Sequence, residues 1–247
     1  KAVIDQEWMR TLPEKGRTEH ADVSPNSPAI VVYTSGSTGS PKGVVNTFRS
    51  LFLAIKGNVL ERTEHDVFMS TASFSFIAVV LDMLTPLYLG ATVYIADENI
   101  RKDAALLADF ILKNKITTCF MPPQMARLAL PRVEDQLTSL VVGSDKVNGL
   151  YSKKVQIFNT YGASETCGPV TQFAVDTLYP ENTPIGTAYD GSSIYILDDE
   201  NKPVRDGDEG EICISGQTAA GYLNLPSLTA ERFIENPFSK GDDDKIL

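Results

Sequence analysis

A glycine- and hydroxyl-rich stretch at residues 34–43 (TSGSTGSPKG) contains the side chains and backbone best suited to chemistry in this sequence. Its glycines permit backbone conformations and close approaches that a Cβ would block. Hydroxyl groups and the positive charge of Lys42 supply further hydrogen-bond donors. Free backbone N–H groups in such a loop can form a concave site for phosphate oxygens. The composition of the stretch therefore predicts a phosphate-binding loop.

Two other interpretations of this loop fit less well. A Walker A loop requires the pattern G-x-x-x-x-G-K-[ST]. Counting from Gly36, Pro41 occupies the place of the second glycine and Gly43 the place of the magnesium-binding hydroxyl. A flexible Gly/Ser linker is the other alternative. It is disfavoured because a predicted strand precedes the loop and a Pro-Lys-Gly sequence ends it.

Residues 34–43 resemble the phosphate-loop signature of the acyl-adenylate-forming superfamily, which includes peptide-synthetase adenylation domains, acyl-CoA synthetases and luciferases. Further motifs of that superfamily follow in the same order, at residues 159–165 (NTYGASE), 184–187 (PIGT), 210–216 (GEICISG) and 219–223 (AAGYL). The extended last block favours an adenylation domain of a nonribosomal peptide synthetase. An acyl-CoA synthetase or aryl-acid ligase is the alternative among enzymes, and a truncated, non-catalytic nucleotide-binding module is the alternative outside them.

The resemblance implies that ATP and Mg²⁺ take part in activating a carboxylic acid as an acyl-adenylate. The acyl group would then pass to the phosphopantetheine arm of a carrier protein. The loop positions that match the family's contacts to the β- and γ-phosphates are Thr34, Ser35, Gly36, Ser37, Thr38, Gly39 and Lys42.

The motif at residues 159–165 is implied by the same resemblance to bind the rest of the nucleotide. Tyr161 would stack on adenine, Asn159 would lie at the polar edge of the base, and Gly162 belongs to the same nucleotide-binding set. As catalytic residues, Ser164 would contact the α-phosphate and Glu165 would bind Mg²⁺, a hard cation that prefers oxygen ligands.

An acyl pocket is implied at residues 73–84, where amino-acid-activating members carry an aspartate for the substrate ammonium. This sequence has Ile77 there, and a buried ammonium without a counter-charge is strongly penalised. We therefore expect a hydrophobic carboxylic acid without an α-amino group, unless an acid from elsewhere replaces the aspartate or the domain is degenerate. The positions that match the family pocket are Ile77, Ala78, Leu81, Phe120, Leu140, Val142, Thr160, Gly168 and Pro169.

The elements that would position these residues follow an α/β pattern. Apolar runs predict strands at residues 29–33, 91–95, 117–121, 139–142 and 155–158, in a mostly parallel sheet flanked by helices. A helix is predicted at residues 103–114, with Asp103 at its start and Leu106, Leu107, Phe110 and Ile111 on one face. Strands at residues 193–197 and 211–215 indicate a smaller β-rich subdomain. The predicted units are residues 1–180 and 181–247.

Composition limits the possible partners and location. The net charge is −10 and no basic cluster interrupts it, so nucleic-acid binding is disfavoured. No apolar run approaches the roughly 20 residues that a membrane-spanning helix needs. Cys119, Cys167 and Cys213 are widely spaced, which favours reduced thiols and a cytoplasmic location.

The family's Tyr-x-Thr-Gly-Asp motif, hinge and C-terminal subdomain with its catalytic lysine do not occur in this sequence. We therefore expect a truncated chain whose activity alone is doubtful.

Overall fold

The structure, a computed structural model, describes residues 22–35, 40–59, 61–239 and 245–247. The strands, in chain order, are β1 (Pro28–Thr34), β2 (Lys42–Thr47), β3 (Val67–Ser70), β4 (Thr92–Ile95), β5 (Thr118–Met121), β6 (Ser139–Gly143), β7 (Gln156–Ala163), β8 (Gly168–Ala174), β9 (Thr187–Ala188), β10 (Ser193–Leu197), β11 (Glu211–Ser215), β12 (Gly221–Tyr222), β13 (Ile234–Glu235) and β14 (Lys245–Ile246).

The helices are α1 (Phe48–Gly57), α2 (Thr85–Leu89), α3 (Glu98–Lys102), α4 (Ala104–Asn114), α5 (Pro123–Val133) and α6 (Pro226–Arg232). A π-helical turn (Val80–Leu84) precedes α2, and a 3₁₀ turn (Ser164–Thr166) follows β7. In the part of the chain that the structure describes, no helix is long and apolar enough to cross a bilayer.

The largest sheet confirms the predicted mostly parallel α/β architecture. Its strand order is β4-β3-β5-β6-β7-β8-β9, with parallel pairing from β4 to β7 and antiparallel pairing for the last two strands. Every residue of β5 and β6 is buried, as expected for parallel strands covered on both faces. Helices α4 and α5 pack on one face, where Leu107, Ile111 and Leu130 join the main core.

Helix α4 begins as the sequence predicts. The Asp103 carboxylate accepts hydrogen bonds from the backbone N–H groups of Ala105 and Leu106, at 2.8 and 3.0 Å, which satisfies donors that the first turn leaves free. The predicted apolar face is wrong at Leu106, whose side chain is 47% exposed. The buried stripe is centred on Leu107 and Ile111, and Leu106 lies about 100° away from Leu107 around the helix.

The strand predicted at residues 29–33 belongs to a different sheet from the one expected. It forms β1, which pairs antiparallel with β2 in a separate sheet of order β1-β2-β12. Strands β2, β3 and β8 were not predicted, because their apolar runs are short. In β1, Val32 is the one buried residue.

The strands predicted in the C-terminal part occur at residues 193–197 and 211–215 as expected. They belong to a sheet of order β10-β11-β14-β13, with Leu197, Cys213 and Ile246 in its core. Two strand pairs cross the predicted 180/181 division, because β9 pairs with β8 and β12 pairs with β2. The division into two units therefore stays a prediction.

Replacing Gly186 by alanine is expected to destabilise the fold strongly. Gly186 has φ +81, and an added Cβ would lie 1.7 Å from the carbonyl oxygen of Gln172 on β8. The left-handed backbone and the clash together predict a loss of about 3 kcal/mol or more in the free energy of unfolding. Urea denaturation measures this loss.

The matched control is Gly149→Ala, because Gly149 has φ +72 with no atom within 4 Å of the added Cβ. It is expected to lose only about 1 kcal/mol for the backbone conformation. Equal losses in the two variants would contradict the close packing of residues 184–187 on β8.

Candidate active site

Strands β1 and β2 form a hairpin that carries the predicted phosphate loop. Thr34 and Lys42 are directly opposite each other in its register, so the predicted loop connects the two strands at this end of the hairpin. Thr34 ends β1, and Ser35 follows it. The predicted contacts of Gly36, Ser37, Thr38 and Gly39 lie outside the described residues.

A cavity of about 430 Å³ brings together three of the predicted nucleotide-binding and metal-binding residues, Lys42, Tyr161 and Glu165. These residues come from β2, β7 and the 3₁₀ turn. Tyr161 is 39% exposed, which leaves an aromatic face available for stacking. Asn159 and Ser164 do not line this cavity.

The cavity wall also contains residues that the sequence analysis did not select for the site. They include Tyr222 on β12, Glu211 on β11, and Glu231 and Arg232 at the end of α6. Tyr222 belongs to the motif at residues 219–223, and its place in that motif could have identified it from the sequence. Glu231 and Arg232 carry opposite charges, so the wall is mixed in sign.

The 3₁₀ turn that carries Glu165 is anchored to two elements. The side-chain amide of Asn46 on β2 donates to the carbonyl oxygen of Ser164 at 3.1 Å. The N–H of Ala219 donates to the carbonyl oxygen of Glu165 at 2.7 Å. Both bonds fix the backbone, so the half-buried Glu165 carboxylate projects into the cavity from a rigid support.

Tyr222 contacts two of the charged residues of the cavity, Glu165 and Lys42. Its hydroxyl donates to Oε1 of Glu165 at 2.9 Å, and the Lys42 Nζ lies 4.8 Å from its ring centroid. Burial, together with the hydrogen bond to Glu165, raises the pKa of the Tyr222 phenol. The hydroxyl therefore keeps its proton at neutral pH and remains a donor.

The side chains of this cavity fit Mg²⁺ only in combination with phosphate oxygens. Among the described residues, no group of three or more His, Cys, Asp or Glu side chains could hold a metal ion. Mg²⁺ is commonly bound through one or two carboxylates plus substrate phosphates. The Glu165 carboxylate, held through one oxygen by Tyr222, matches that arrangement.

Asn159 is used inside the protein. Its side chain is buried, and its Nδ2 donates to the carbonyl oxygen of Pro184 at 2.7 Å. This bond joins the motif at residues 159–165 to the motif at residues 184–187. The structure thus gives the Asn159 amide a structural partner, and its contact with adenine stays a prediction.

A second, smaller cavity of about 40 Å³ lies beside the first and contains most of the predicted acyl-pocket positions. None of the residues that line it in the described part of the chain is charged. The predicted positions found there are Ile77, Ala78, Leu81, Phe120, Thr160, Gly168 and Pro169, and the unpredicted ones are Phe76, Gly143, Ser144 and Gly162.

The predicted placement of Leu140 and Val142 on this pocket is wrong. Both are fully buried in the main core, with the residues of α4 and α5. Side chains alternate along a strand, so the neighbouring positions of β6 face the pocket side. Val141 packs against Ala78, Leu81 and Phe120, and Gly143 lines the cavity itself.

The end of β7 separates the two cavities. Thr160 and Gly162 line the smaller cavity, whereas Tyr161 and Ala163 line the larger one. The alternation of side chains along the strand assigns successive residues to opposite sides. Gly162, predicted in the nucleotide set, therefore lies on the acyl-pocket side.

Asp82 is a buried acid that the sequence analysis missed. It lies in the π-helical turn, and its Oδ2 accepts hydrogen bonds from the N–H groups of Thr71 and Ala72, both at 2.8 Å. Burial raises the pKa of Asp82 to about 7. Asp82 could have been identified from the sequence as the single acid inside the apolar run at residues 77–84. The bonds connect the end of β3 to the segment that forms the smaller cavity.

Comparisons with known proteins agree with this fold and show the family to which the chain belongs. The sequence model of a family described as "AMP-binding enzyme" matches residues 2–223. Tyrocidine synthase 3 of Brevibacillus parabrevis is 34% identical over 226 residues, which cover 87% of this chain and 4% of the synthase. Tyrocidine synthase 1 of the same organism is 33% identical over 249 residues, covering 97% of this chain and 23% of the synthase.

Solved structures from Klebsiella oxytoca are also similar. The NpsA N-terminal subdomain in complex with 3-hydroxyanthranilyl-AMSN has a TM-score of 0.84 at 26% identity, covering 98% of this chain and 65% of that one. An artificially fused NpsA-ThdA adenylation–PCP di-domain NRPS has a TM-score of 0.85 at 26% identity, covering 98% and 50%.

The chain belongs to the AMP-binding enzyme family. The similarity to the two tyrocidine synthases and to the NpsA subdomain confirms the finer prediction, an adenylation domain of the nonribosomal peptide synthetase type. The matched regions cover only 4% to 23% of the length of those two synthases.

Replacing Asp82 by asparagine is expected to flatten the pH dependence of stability. An acid whose folded-state pKa lies above its unfolded value of about 3.9 favours folding when protonated, and this contribution is lost as pH rises through about 7. The free energy of unfolding of the wild type should therefore fall relative to Asp82→Asn between pH 4 and pH 8. The fall should reach about 4 kcal/mol at most.

Urea unfolding across this pH range measures the difference. The control is Asp199→Asn, at an exposed position. Parallel stability profiles for the wild type and Asp82→Asn would show that Asp82 does not titrate in the folded protein over this range.

Proposed function

We propose that this chain binds ATP in the larger cavity and a carboxylic acid in the smaller one, as part of an enzyme that forms an acyl-adenylate. The observation that carries the proposal is the shared wall at the end of β7, where successive residues line the two cavities. An acid in one cavity would present its carboxylate at the boundary with the other. This juxtaposition suits attack of a carboxylate on an α-phosphate.

In the proposed reaction, a carboxylate oxygen forms a bond to the α-phosphorus while the bond to the pyrophosphate oxygen breaks. Pyrophosphate leaves with the electron pair, so no side-chain nucleophile is required. Lys42 would neutralise phosphate charge, Tyr161 would stack on adenine, and Glu165 would hold Mg²⁺. When bound, Mg²⁺ would supply further charge stabilisation to the phosphate oxygens.

The acceptor of the acyl group is proposed to be the phosphopantetheine thiol of a carrier protein. Support comes from the fused NpsA-ThdA adenylation–PCP di-domain, to which this chain is similar. Thiolate attack on the acyl carbon would release AMP and give a thioester. A cytoplasmic location stays a prediction from the sequence.

The proposed nucleotide site is tested by calorimetric titration of the chain with ATP and Mg²⁺. Lys42→Met and Glu165→Gln should each weaken binding by about 10-fold or more, since each removes a charged group that would meet phosphate or Mg²⁺. Lys153→Met and Glu181→Gln change exposed residues outside the cavity and are the matched controls. Wild-type affinity in both site variants would argue against an ATP site at this cavity.

We further propose a hydrophobic acid without an α-amino group as the substrate. The carrying observation is Ile77, which is buried and lines a cavity whose described lining residues carry no charge. The NpsA subdomain has also been solved with 3-hydroxybenzoyl-AMSN, and a benzoyl group has no α-ammonium.

Two non-hydrolysable acyl-adenylate analogues test this choice, one with a branched α-amino acid and the other with its α-keto twin. The wild type should prefer the keto twin, and Ile77→Asp should shift the ratio of affinities by about 10-fold towards the amino form. Ile77→Asn introduces a side chain similar in shape to aspartate but uncharged, so it should shift the ratio of affinities much less. A wild-type preference for the amino form would refute the substrate class and leave the ATP site standing.

A further inference from the structure

Several contacts restrict the position of Tyr222, which lines the larger cavity. Its residue pairs with Val44 of β2, and its N–H donates to Oγ1 of Thr229 at 2.9 Å. Its ring meets the ring of Phe233 edge-on, with centroids 5.6 Å apart. The side chain is buried. Tyr222 therefore has little freedom to move.

Two oppositely charged residues of the same cavity lie against this one side chain. The hydroxyl donates to Oε1 of Glu165, and the ring lies 4.8 Å from Nζ of Lys42. An ammonium over an aromatic face is attracted to the ring. Glu165 and Lys42 thus each contact an uncharged group, and both of these groups belong to Tyr222.

The two charges would otherwise attract each other. Opposite charges in a partly enclosed site interact more strongly than in water. Over the part of the chain that the structure describes, Lys42 and Glu165 nevertheless form no ion pair with each other. A direct ion pair would consume the ammonium and the carboxylate that phosphate and Mg²⁺ need.

We propose that Tyr222 is a positioning residue that holds Glu165 and Lys42 apart and oriented, so that each meets its own part of a magnesium–nucleotide complex. The inference rests on the proposed function, because it takes Glu165 as the magnesium ligand and Lys42 as the phosphate ligand. A hydrogen bond to one oxygen of a ligating carboxylate fixes its orientation, and losing such a bond typically costs about 10-fold or more in metal affinity.

The test is calorimetric titration of the full chain with ATP, with and without Mg²⁺. Tyr222→Phe keeps the ring for Lys42 and removes the donor to Glu165. It should reduce the gain in ATP affinity that Mg²⁺ provides by about 10-fold, while magnesium-free ATP binding stays within twofold of wild type. Tyr222→Leu removes both contacts, so magnesium-free binding should weaken as well.

The matched control is Tyr189→Phe, which also removes a buried tyrosine hydroxyl that donates a hydrogen bond, here to Asn58 at 3.2 Å. Tyr189 does not line the proposed ATP cavity. This variant should keep the full magnesium gain, which separates positioning of Glu165 from a general loss of stability. Adding Tyr222→Phe to Glu165→Gln should cause little further loss, because both act on one carboxylate.

Two results would overturn the inference, and they differ. If Glu165→Gln loses the magnesium gain and Tyr222→Phe keeps it, Tyr222 does not position the carboxylate and the proposed function is unaffected. If Glu165→Gln and Lys42→Met both bind ATP with Mg²⁺ as the wild type does, the proposed function fails and the inference fails with it.

Discussion

Hydrogen bonds from residues 217–223 hold together two parts of the chain that are far apart in sequence. On one side lies the hairpin that carries the phosphate loop, and on the other lies the turn that carries Glu165. The bonds run from Gln217 Nε2 to the carbonyl oxygens of Thr166 and Pro169, from Ala219 N to Glu165 O, from Ala220 N to Val45 O, from Leu223 N to Gly43 O, and from the Tyr222 hydroxyl to Glu165 Oε1. Together with the bond from the Asn46 side chain on β2 to the carbonyl oxygen of Ser164, this segment fixes Lys42 relative to Glu165. The larger cavity depends on it.

The second constraint is the alternation of side chains at the ends of the parallel strands. Along β7 it assigns Tyr161 to the larger cavity and Thr160 to the smaller one. Along β6 it turns Leu140 and Val142 into the helix-covered core and leaves Gly143 at the smaller cavity. A shift of one residue in either strand would exchange these faces. The division between the two cavities therefore follows from strand register.

The positive charge available to a phosphate comes from side chains in the cavity wall and not from the chain as a whole. The chain carries a net charge of −10, so its overall field repels a polyphosphate. Lys42 and Arg232 are the cationic side chains found in the wall of the larger cavity. Buried polar groups farther away serve the backbone, as Asp82 does at Thr71 and Ala72.

The sequence alone determined features whose causes lie within a few residues. Asp103 caps α4 because its carboxylate reaches N–H groups of the next turn. The strands at residues 193–197 and 211–215 follow from local apolar runs between turns. The motifs at residues 34–43, 159–165, 184–187 and 210–223 were sufficient for the fold and the family, because their order along the chain is itself a sequence property.

Only the tertiary structure decided which strands pair and which faces meet. β1 pairs with β2 and not with the parallel sheet, and no pattern within residues 29–33 specifies that partner. Leu140 and Val142 are as apolar as a pocket residue would be, so their direction depended on register against β5 and β7. Tyr222 meets Glu165 only because β12 is hydrogen-bonded to β2. Contacts between residues distant in sequence depend on the packing of the whole sheet, which a local pattern does not encode.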